Sequence, residues 1–151
     1  ELSKAVTLDD GESCLGLGCG WGPVGISVAA SHPTSEVWMV DVNERACELA
    51  RANAQANDLR NAVVLCGDGL AAVGGRKFDV IATNPPIRAG KSIVYRLVEE
   101  ARDHLNPGGR FYAVARTKQG AGSLREFIHT AFGNSDEPEI GGGYRVIRAT
   151  R

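Results

Sequence analysis

An Asn-Pro-Pro segment, residues 84–86, follows the apolar run 78–83, which is typical of a buried strand. Proline fixes φ and has no backbone N–H, so two prolines in succession make the segment rigid and leave the Pro85 carbonyl free of local helical pairing. The Asn84 amide oxygen and this carbonyl then form two hydrogen-bond acceptors held side by side, which fit the two N–H donors of a planar NH₂ group. The alternative is a rigid turn that only joins a strand to a helix.

This pair of acceptors predicts a definite chemistry. The lone pair of an NH₂ group on an aromatic base is delocalised into the ring, so the nitrogen is a weak nucleophile. Bonds from both of its N–H groups would orient the nitrogen toward a methyl donor and stabilise the positive charge that develops on it. No strong base is required, which suits a segment with no histidine close to it in sequence. Ile87 would offer an apolar surface to the base.

Three further stretches could bind a ligand. Gly20, Gly22 and Gly25 fit the pattern G-x-G-x-x-G after a predicted strand, which suits a nicotinamide dinucleotide or a nucleoside ligand equally well, or a purely structural turn. Asp41 follows the next predicted strand, where a carboxylate can accept bonds from both hydroxyls of a ribose or cap the following helix. Asp68 follows the third strand and could accept a bond from the amine of adenine or only stabilise a turn.

Apolar runs alternate with segments of helical periodicity, which predicts an α/β fold with a doubly wound Rossmann-like sheet, mostly parallel and covered on both faces. The predicted strands are residues 12–17, 36–40, 62–66, 78–83 and 110–115, and the predicted helices are residues 23–31, 44–57, 92–105 and 123–132. Residues 106–109, Asn-Pro-Gly-Gly, predict the stop of the third helix. In the second helix, one face is expected to contain Ala46, Leu49, Ala50 and Asn53. Residues 141–143 predict the bend of an antiparallel C-terminal hairpin.

All four stretches thus lie at carboxyl ends of strands, where such sheets bind ligands. The length of 151 residues predicts a single domain spanning residues 1–151. No run approaches the roughly 20 apolar residues of a membrane span. Four cysteines without a C-x-x-C pair indicate reduced, buried thiols in a cytoplasmic protein, and three scattered histidines predict no metal site.

Charge is distributed unevenly along the chain. Residues 1–83 carry a net charge of −5 and residues 84–151 a net charge of +4, so that the basic part begins at the Asn-Pro-Pro segment. Such asymmetry can mark the side that meets a polyanion, or only an uneven surface.

The motifs together resemble those of the class I S-adenosylmethionine-dependent methyltransferases. "LGLGCGWGPVG" is similar to their first cofactor motif, "MVDVNERA" to their second, and "TNPPI" to the motif of enzymes that methylate planar nitrogens. The longer strings "TNPPIRAGK", "GDG", "HLNPGGRFYAVARTKQGA" and "GYRVIRA" resemble the RsmC-like 16S ribosomal RNA guanine-N2 methyltransferases. The resemblance covers nearly the whole chain, with its motifs in the family's order.

The resemblance implies a role for each motif residue. S-adenosylmethionine would be the cofactor, and a guanine of 16S ribosomal RNA or of the small ribosomal subunit the target. Asp41 would hold the ribose of the cofactor, Asp68 would lie beside its adenine, and Arg88 and Lys91 would lie at the mouth of the pocket, where RNA phosphates pass. The remaining implied cofactor residues are Gly18, Cys19, Gly20, Gly22, Val42, Gly69 and Asn84. Asn84, Pro85, Pro86 and Ile87 would hold the target base.

Two features depart from the family. Gly16 stands where relatives usually carry an acidic residue that orders the glycine loop, which predicts weaker cofactor binding or a silent domain. The chain also begins about a dozen residues before its first strand, where relatives have a further segment, so we expect either a partial chain or an unusually open pocket.

Several other functions agree with parts of the sequence. Protein glutamine and DNA adenine methyltransferases share Asn-Pro-Pro but usually continue with an aromatic residue where this chain has Ile87. A silent methyltransferase fold that only binds RNA or a partner protein is favoured by Gly16 and disfavoured by the intact Asn-Pro-Pro segment. A nicotinamide-dependent dehydrogenase would rest on the glycine pattern alone.

Overall fold

A computed structural model describes residues 2–18 and 21–151. Its sheet has seven strands in the order β3-β2-β1-β4-β5-β7-β6. Strands β1 to β5 run parallel, whereas β7 pairs antiparallel with both β5 and β6. The strands are β1 Ser13–Leu17, β2 Glu36–Asp41, β3 Ala62–Cys66, β4 Phe78–Thr83, β5 Leu105–Arg116, β6 Asp136–Gly141 and β7 Tyr144–Thr150. The predicted doubly wound, mostly parallel sheet with a C-terminal hairpin is confirmed.

Helices cover both faces of the sheet. They are α1 Leu2–Ala5, α2 Trp21–Ser31, α3 Glu44–Ala56, α4 Lys91–Asp103 and α5 Ala121–Phe132. Two short 3₁₀ turns, Gly69–Val73 and Ile87–Ala89, follow β3 and β4. Asn43 caps α3, because its side-chain oxygen accepts a bond from the Ala46 N–H at 3.0 Å.

Alternate residues of the central strands enter two separate cores. In β4, Ile81 packs with α4 and α5 on one face, whereas Val80 and Ala82 pack with α1 and α2 on the other. The same alternation holds in β5, where Phe111 and Tyr112 are both fully buried on opposite faces. A strand buried on both faces has no polar alternation, which is why these segments appear as continuous apolar runs.

Residues 106–109 do not stop a helix, contrary to the prediction. Helix α4 ends at Asp103, and Leu105 already pairs with Phe78 in the sheet. The Asn-Pro-Gly-Gly segment lies inside β5, where the register against β4 shifts between Phe78 and Val80. Gly108 has a φ of 81°, so this segment forms an irregularity within the strand.

One prediction about burial was wrong, that of Cys66, which lies in the edge strand β3. Helix α3 turns Cys47, Ala50 and Ala54 inward and leaves Leu49 55% exposed. The Cys66 thiol, expected to be buried, is exposed at the end of this edge strand. Cys14 and Cys47 are buried and reduced as predicted.

Candidate active site

The glycine loop begins at the carboxyl end of β1 and lies against the end of β4. Gly18 has a φ of 101°, in the left-handed region, and its N–H donates to the Val40 carbonyl at 3.1 Å. A Cβ atom added at Gly18 would lie 3.6 Å from the Asn84 carbonyl oxygen. The positive φ favours glycine at position 18, and the distance shows that the first and fourth site segments are in contact. Cys19 and Gly20 lie outside the described residues, and Gly22 lies in the first turn of α2.

Asp41 ends β2, as predicted, and its carboxylate is only partly engaged. One carboxylate oxygen accepts a bond from the Asn43 N–H at 2.9 Å, and the helix cap is Asn43. Capping therefore does not account for Asp41. Its other carboxylate oxygen has no hydrogen-bond partner within residues 2–18 and 21–151. Beside it, Val42 is 65% exposed, so an apolar side chain lies open next to a carboxylate.

Asp68 and Gly69 form the turn after β3. Asp68 precedes the 3₁₀ turn Gly69–Val73, but its side chain makes no capping bond and is exposed. The turn is tight, because a Cβ atom at Gly67 would lie only 2.8 Å from that of Ala72. A cavity of about 520 Å³ opens beside Asp68 and Leu17 and runs between this turn and α4. Its far end reaches His104, so only its mouth adjoins the site.

The Asn84 side chain is exposed at the end of β4 and makes no hydrogen bond to any residue that the structure describes. Pro86 has φ −77° and ψ 75°, the conformation of an inverse γ-turn, and the Ile87 N–H donates to the Pro85 carbonyl at 2.9 Å. The Pro85 carbonyl thus has no helical partner, as expected, but it is not unpartnered. A carbonyl oxygen has two lone pairs, so one acceptor position of the buried Pro85 is not used by any described residue.

Thr83, which the sequence analysis missed, fixes the two central segments to each other. Its hydroxyl donates to the Leu17 carbonyl at 3.1 Å, and the residue is 1% exposed. A lone hydroxyl residue at the end of the apolar run 78–83 was the signal that could have identified it. The bond joins the residue before Gly18 to the residue before Asn84.

The residues expected at the pocket mouth follow Asn84 directly. Ile87 is partly buried, and its side chain lies 4.0 Å from where a Cβ atom at Gly120 would be. Arg88 and Lys91 are both exposed, and neither has a carboxylate within 4 Å among the residues whose positions are given. Two exposed positive charges therefore follow Asn84 within seven residues.

The two buried thiols, Cys14 and Cys47, support the strands and do not provide a nucleophile. Burial raises the pKa of Cys14 to about 12, and burial, followed by the neighbouring Cys66 thiol, raises the pKa of Cys47 to about 11. Both groups are therefore neutral at physiological pH, whereas the thiolate is the reactive form. Cys47 instead donates to the Asp41 carbonyl at 3.4 Å, which supports the end of β2.

The described residues contain no group of three or more side chains that could hold a metal ion. Within the same residues, no helix is long and apolar enough to cross a membrane. The groups that the site does offer are carboxylates, an amide, backbone acceptors and flanking cations. They fit a nucleoside-type ligand beside a planar amine.

The chain is similar in sequence to known proteins. The family model described as methyltransferase small domain matches residues 2–148. The protein YbxB of Bacillus subtilis is 38% identical over 138 residues, 91% of this chain and 69% of YbxB. Ribosomal RNA small subunit methyltransferase C of Pseudomonas entomophila is 33% identical over 141 residues, 91% of this chain but only 41% of that protein. This chain thus spans about two fifths of that relative's length.

Solved structures give the same result. The N2 methyltransferase of 16S rRNA (RsmC) from Thermus thermophilus, in complex with AdoMet and guanosine, superimposes with a TM-score of 0.80 at 26% identity over 94% of this chain and 38% of that one. A methyltransferase from Pyrococcus furiosus superimposes with a TM-score of 0.76 at 26% identity over 95% of this chain and 77% of that one. The expected class I fold and the expected cofactor are confirmed.

The site fits that cofactor at three places. Asp41 and Asp68 present carboxylate oxygens that have no partner among the described residues, Val42 exposes an apolar surface beside Asp41, and Gly18 has the positive φ that begins the glycine loop. This chain belongs to the methyltransferase small domain family, whose methyl donor is S-adenosylmethionine.

Proposed function

We propose that this chain transfers a methyl group from S-adenosylmethionine to the exocyclic N2 amine of a guanine in 16S ribosomal RNA. The observation that carries the proposal is the exposed Asn84, whose side chain has no hydrogen-bond partner among the described residues and whose backbone carbonyl lies next to Gly18 at the start of the glycine loop. The relatives named for 16S rRNA methylation and the guanosine complex support this choice of target.

Each segment of the site has a role in this reaction. Asp41 accepts bonds from the ribose hydroxyls, Val42 and Asp68 flank the adenine, and Gly18 and Gly22 lie beside the methionine part. S-adenosylmethionine supplies the electrophilic methyl group. The four segments hold the donor in a crevice that faces Asn84, which converts the encounter of donor and amine into a positioned one.

Asn84 and Pro85 act on the amine. The Asn84 amide oxygen accepts one N–H of the amine and the second lone pair of the Pro85 carbonyl accepts the other. As the N–CH₃ bond forms and the S–CH₃ bond breaks, positive charge moves from sulfur to nitrogen, where the two acceptors stabilise it. The extra proton then leaves to water, so the reaction requires no general base beside Asn84. Ile87 packs against the face of the base.

The target must leave its stack to reach this site. The amine of a paired guanine is covered by its neighbours, so the base must be unpaired or splayed out. Arg88 and Lys91 then contact the backbone phosphates on either side of it.

The test is methyl transfer from radiolabelled S-adenosylmethionine to 16S rRNA, to assembled small subunits and to 23S rRNA, followed by nuclease digestion and chromatography of the nucleosides. We expect label only in N2-methylguanosine from the small-subunit substrates. Label in N6-methyladenosine would refute the guanine assignment, and label only from 23S rRNA would refute the 16S assignment. The 23S arm matters because ribosomal RNA large subunit methyltransferase G of Streptomyces avermitilis is also 32% identical over 144 residues.

The acceptor role of Asn84 has its own test. Asn84→Ala should lower the rate of methyl transfer about 100- to 1000-fold, which is the typical cost of removing one stabilising group at a developing charge. Its affinity for S-adenosylmethionine, measured by calorimetry, should stay nearly unchanged. Asn53→Ala, at an exposed position on α3, is the matched control. A large loss of cofactor affinity in Asn84→Ala would contradict the assignment.

One observation favours a second candidate, a silent fold that binds RNA without catalysis. Gly16 replaces the acidic residue usual in relatives, and it lies buried within β1. Calorimetry separates the two functions, because a silent domain would show no binding at millimolar S-adenosylmethionine, whereas an active one would bind at micromolar concentration.

A further inference from the structure

The basic residues from Asn84 onward fall into two groups. Six are in ion pairs with carboxylates, namely Arg96, Arg102, Arg110, Arg125, Arg145 and Arg148. The guanidinium of Arg151 instead donates to backbone carbonyls. Arg88, Lys91, Arg116 and Lys118 have no carboxylate within 4 Å in the part of the chain that the structure describes. The net charge of +4 in this half is therefore not spread evenly over its surface.

These four residues lie at the carboxyl ends of two neighbouring parallel strands. Arg88 and Lys91 follow β4, Arg116 is the last residue of β5, and Lys118 lies in the turn after it. The two loops meet, because a Cβ atom at Gly120 would lie 4.0 Å from the Ile87 side chain. The unpaired charges therefore continue from the proposed base pocket to the end of β5.

The C-terminal hairpin holds Arg116 in place. Arg116 pairs with Tyr144 of β7, its Nε donates to the Tyr144 hydroxyl at 3.2 Å, and its guanidinium lies 5.5 Å from the centre of the Tyr144 ring. The Thr117 N–H donates to the Gly143 carbonyl at 2.9 Å, so the turn after β5 is bonded to the turn of the hairpin. The two terminal nitrogens of Arg116 donate to no acceptor among the described residues.

A cleft of about 680 Å³ lies beside the bond between these two turns and is lined by residues of both. Its lining includes Arg116, Lys118 and Gln119 on one side and Gly143 and Tyr144 on the other, and none of its described lining residues carries a carboxylate. Side-chain N–H donors and positive charge without acidic residues fit an anion. Arginine with fixed orientation is suited to the bidentate recognition of phosphate.

We propose that residues 116–119 and 142–144 form a phosphate-binding cleft that holds the backbone of single-stranded RNA next to the nucleotide in the base pocket. The inference rests on the proposed function and extends the RNA contact beyond Arg88 and Lys91. Arg116 binds one phosphate, Lys118 binds the next, and Tyr144 positions Arg116. Because the only aromatic ring among the described lining residues, that of Tyr144, already faces Arg116, the cleft binds the backbone irrespective of base sequence.

The test is the affinity of the full chain for a fluorescein-labelled 12-nucleotide oligouridine, measured by anisotropy at several salt concentrations. Oligouridine contains no guanine, so its binding does not depend on methyl transfer or on the target base. Arg116→Gln/Lys118→Gln removes the two cleft charges. Arg60→Gln/Lys77→Gln is the matched control, because it also removes one exposed arginine and one exposed lysine. These two residues lie before β3 and β4, at the amino ends of the strands and away from the cleft.

Each phosphate contact on a single strand contributes a slope of roughly −0.7 to log K against log salt. Loss of two contacts should reduce the slope by about 1.4 and weaken binding about 25-fold at 0.1 M salt. The control variant should lose much less affinity at that salt concentration. Tyr144→Phe should weaken binding less than Arg116→Gln alone, since it removes only the bond to Nε.

Each other outcome overturns the proposal. Equal affinities of the two double variants would mean that the cleft does not bind RNA, and so would the absence of oligouridine binding by the unmodified chain. If only methyl transfer to whole subunits fell in the cleft variant, the cleft would contact ribosomal protein. A failure of the proposed function is separate, because it would show as the wrong methylated nucleoside while oligouridine binding remained.

Discussion

Thr83→Val tests whether the buried hydroxyl between β1 and β4 holds the crevice in shape. Valine keeps the volume and β-branching of threonine but cannot donate to the Leu17 carbonyl, which the hydroxyl reaches at 3.1 Å. A net hydrogen bond contributes about 1 kcal/mol, and an acceptor left without a partner in a buried position costs up to about 3 kcal/mol. Thr83 is 1% exposed, so water cannot replace the bond, and we expect the free energy of unfolding to fall by about 1–3 kcal/mol.

Stability alone would not show a role in the site, so Thr83→Ser is the control. Serine keeps the hydroxyl and loses one buried methyl group, at a cost of about 1 kcal/mol. Both variants should therefore unfold at lower urea concentration. Only Thr83→Val should bind S-adenosylmethionine more weakly, by about fivefold for each 1 kcal/mol lost from loop positioning. Equal cofactor affinity in the two variants, measured by calorimetry, would refute the idea that this bond positions Gly18 against Asn84.

Three further outcomes can be checked. Gly16→Asp should tighten S-adenosylmethionine binding in calorimetry, whereas unchanged affinity would mean that other contacts already order the glycine loop. Glu12→Gln should reduce the loss of stability below pH 5, because the hydrogen bond from Arg110 lowers the pKa of Glu12. The stabilisation is present above the ordinary carboxyl pKa and is lost as pH falls. If the free energy of unfolding of the variant and of the unmodified chain fell equally from pH 6 to 3, this expectation would be contradicted. Iodoacetamide at pH 8 should modify Cys66 in the native protein and Cys47 only after unfolding. The pKa of about 11 leaves roughly one Cys47 thiol in a thousand as thiolate at that pH. Equal labelling of the two cysteines in the native protein, measured by peptide mass spectrometry, would refute this.

The central strands were predictable because their burial leaves a clear signal. β4 begins and ends where the sequence predicted, since an apolar run bounded by turn residues marks a strand covered on both faces. The bounds of β3 also match, although this edge strand is only partly buried. The ends of the same strands contain the polar site residues. The strand pattern alone therefore places Asp41, Asp68 and Asn84 together at the carboxyl ends of the parallel strands.

Other features depend on contacts that a local pattern does not contain. The bond of Thr83 to Leu17 and the bond of Arg116 to Tyr144 each join strands far apart in sequence, and no spacing rule predicts them. The Asn-Pro-Gly-Gly segment has the composition of a helix stop, but its pairing within β5 is decided by the neighbouring strand. Leu49 fits a helical stripe as well as Cys47 does, but it is Cys47 that faces the carbonyls of Asp41 in β2 and Leu65 in β3.

The distance in sequence between the two halves of the site has a kinetic consequence. Leu17 and Thr83 are 66 residues apart, and closing a loop of that length costs about 4 kcal/mol of chain entropy before the pairing of β1 with β4 is gained. Folding dominated by such distant contacts is slow. Because the crevice exists only after this pairing, partly folded chains have no place for the cofactor. Saturating S-adenosylmethionine should therefore slow unfolding and leave the rate of folding unchanged.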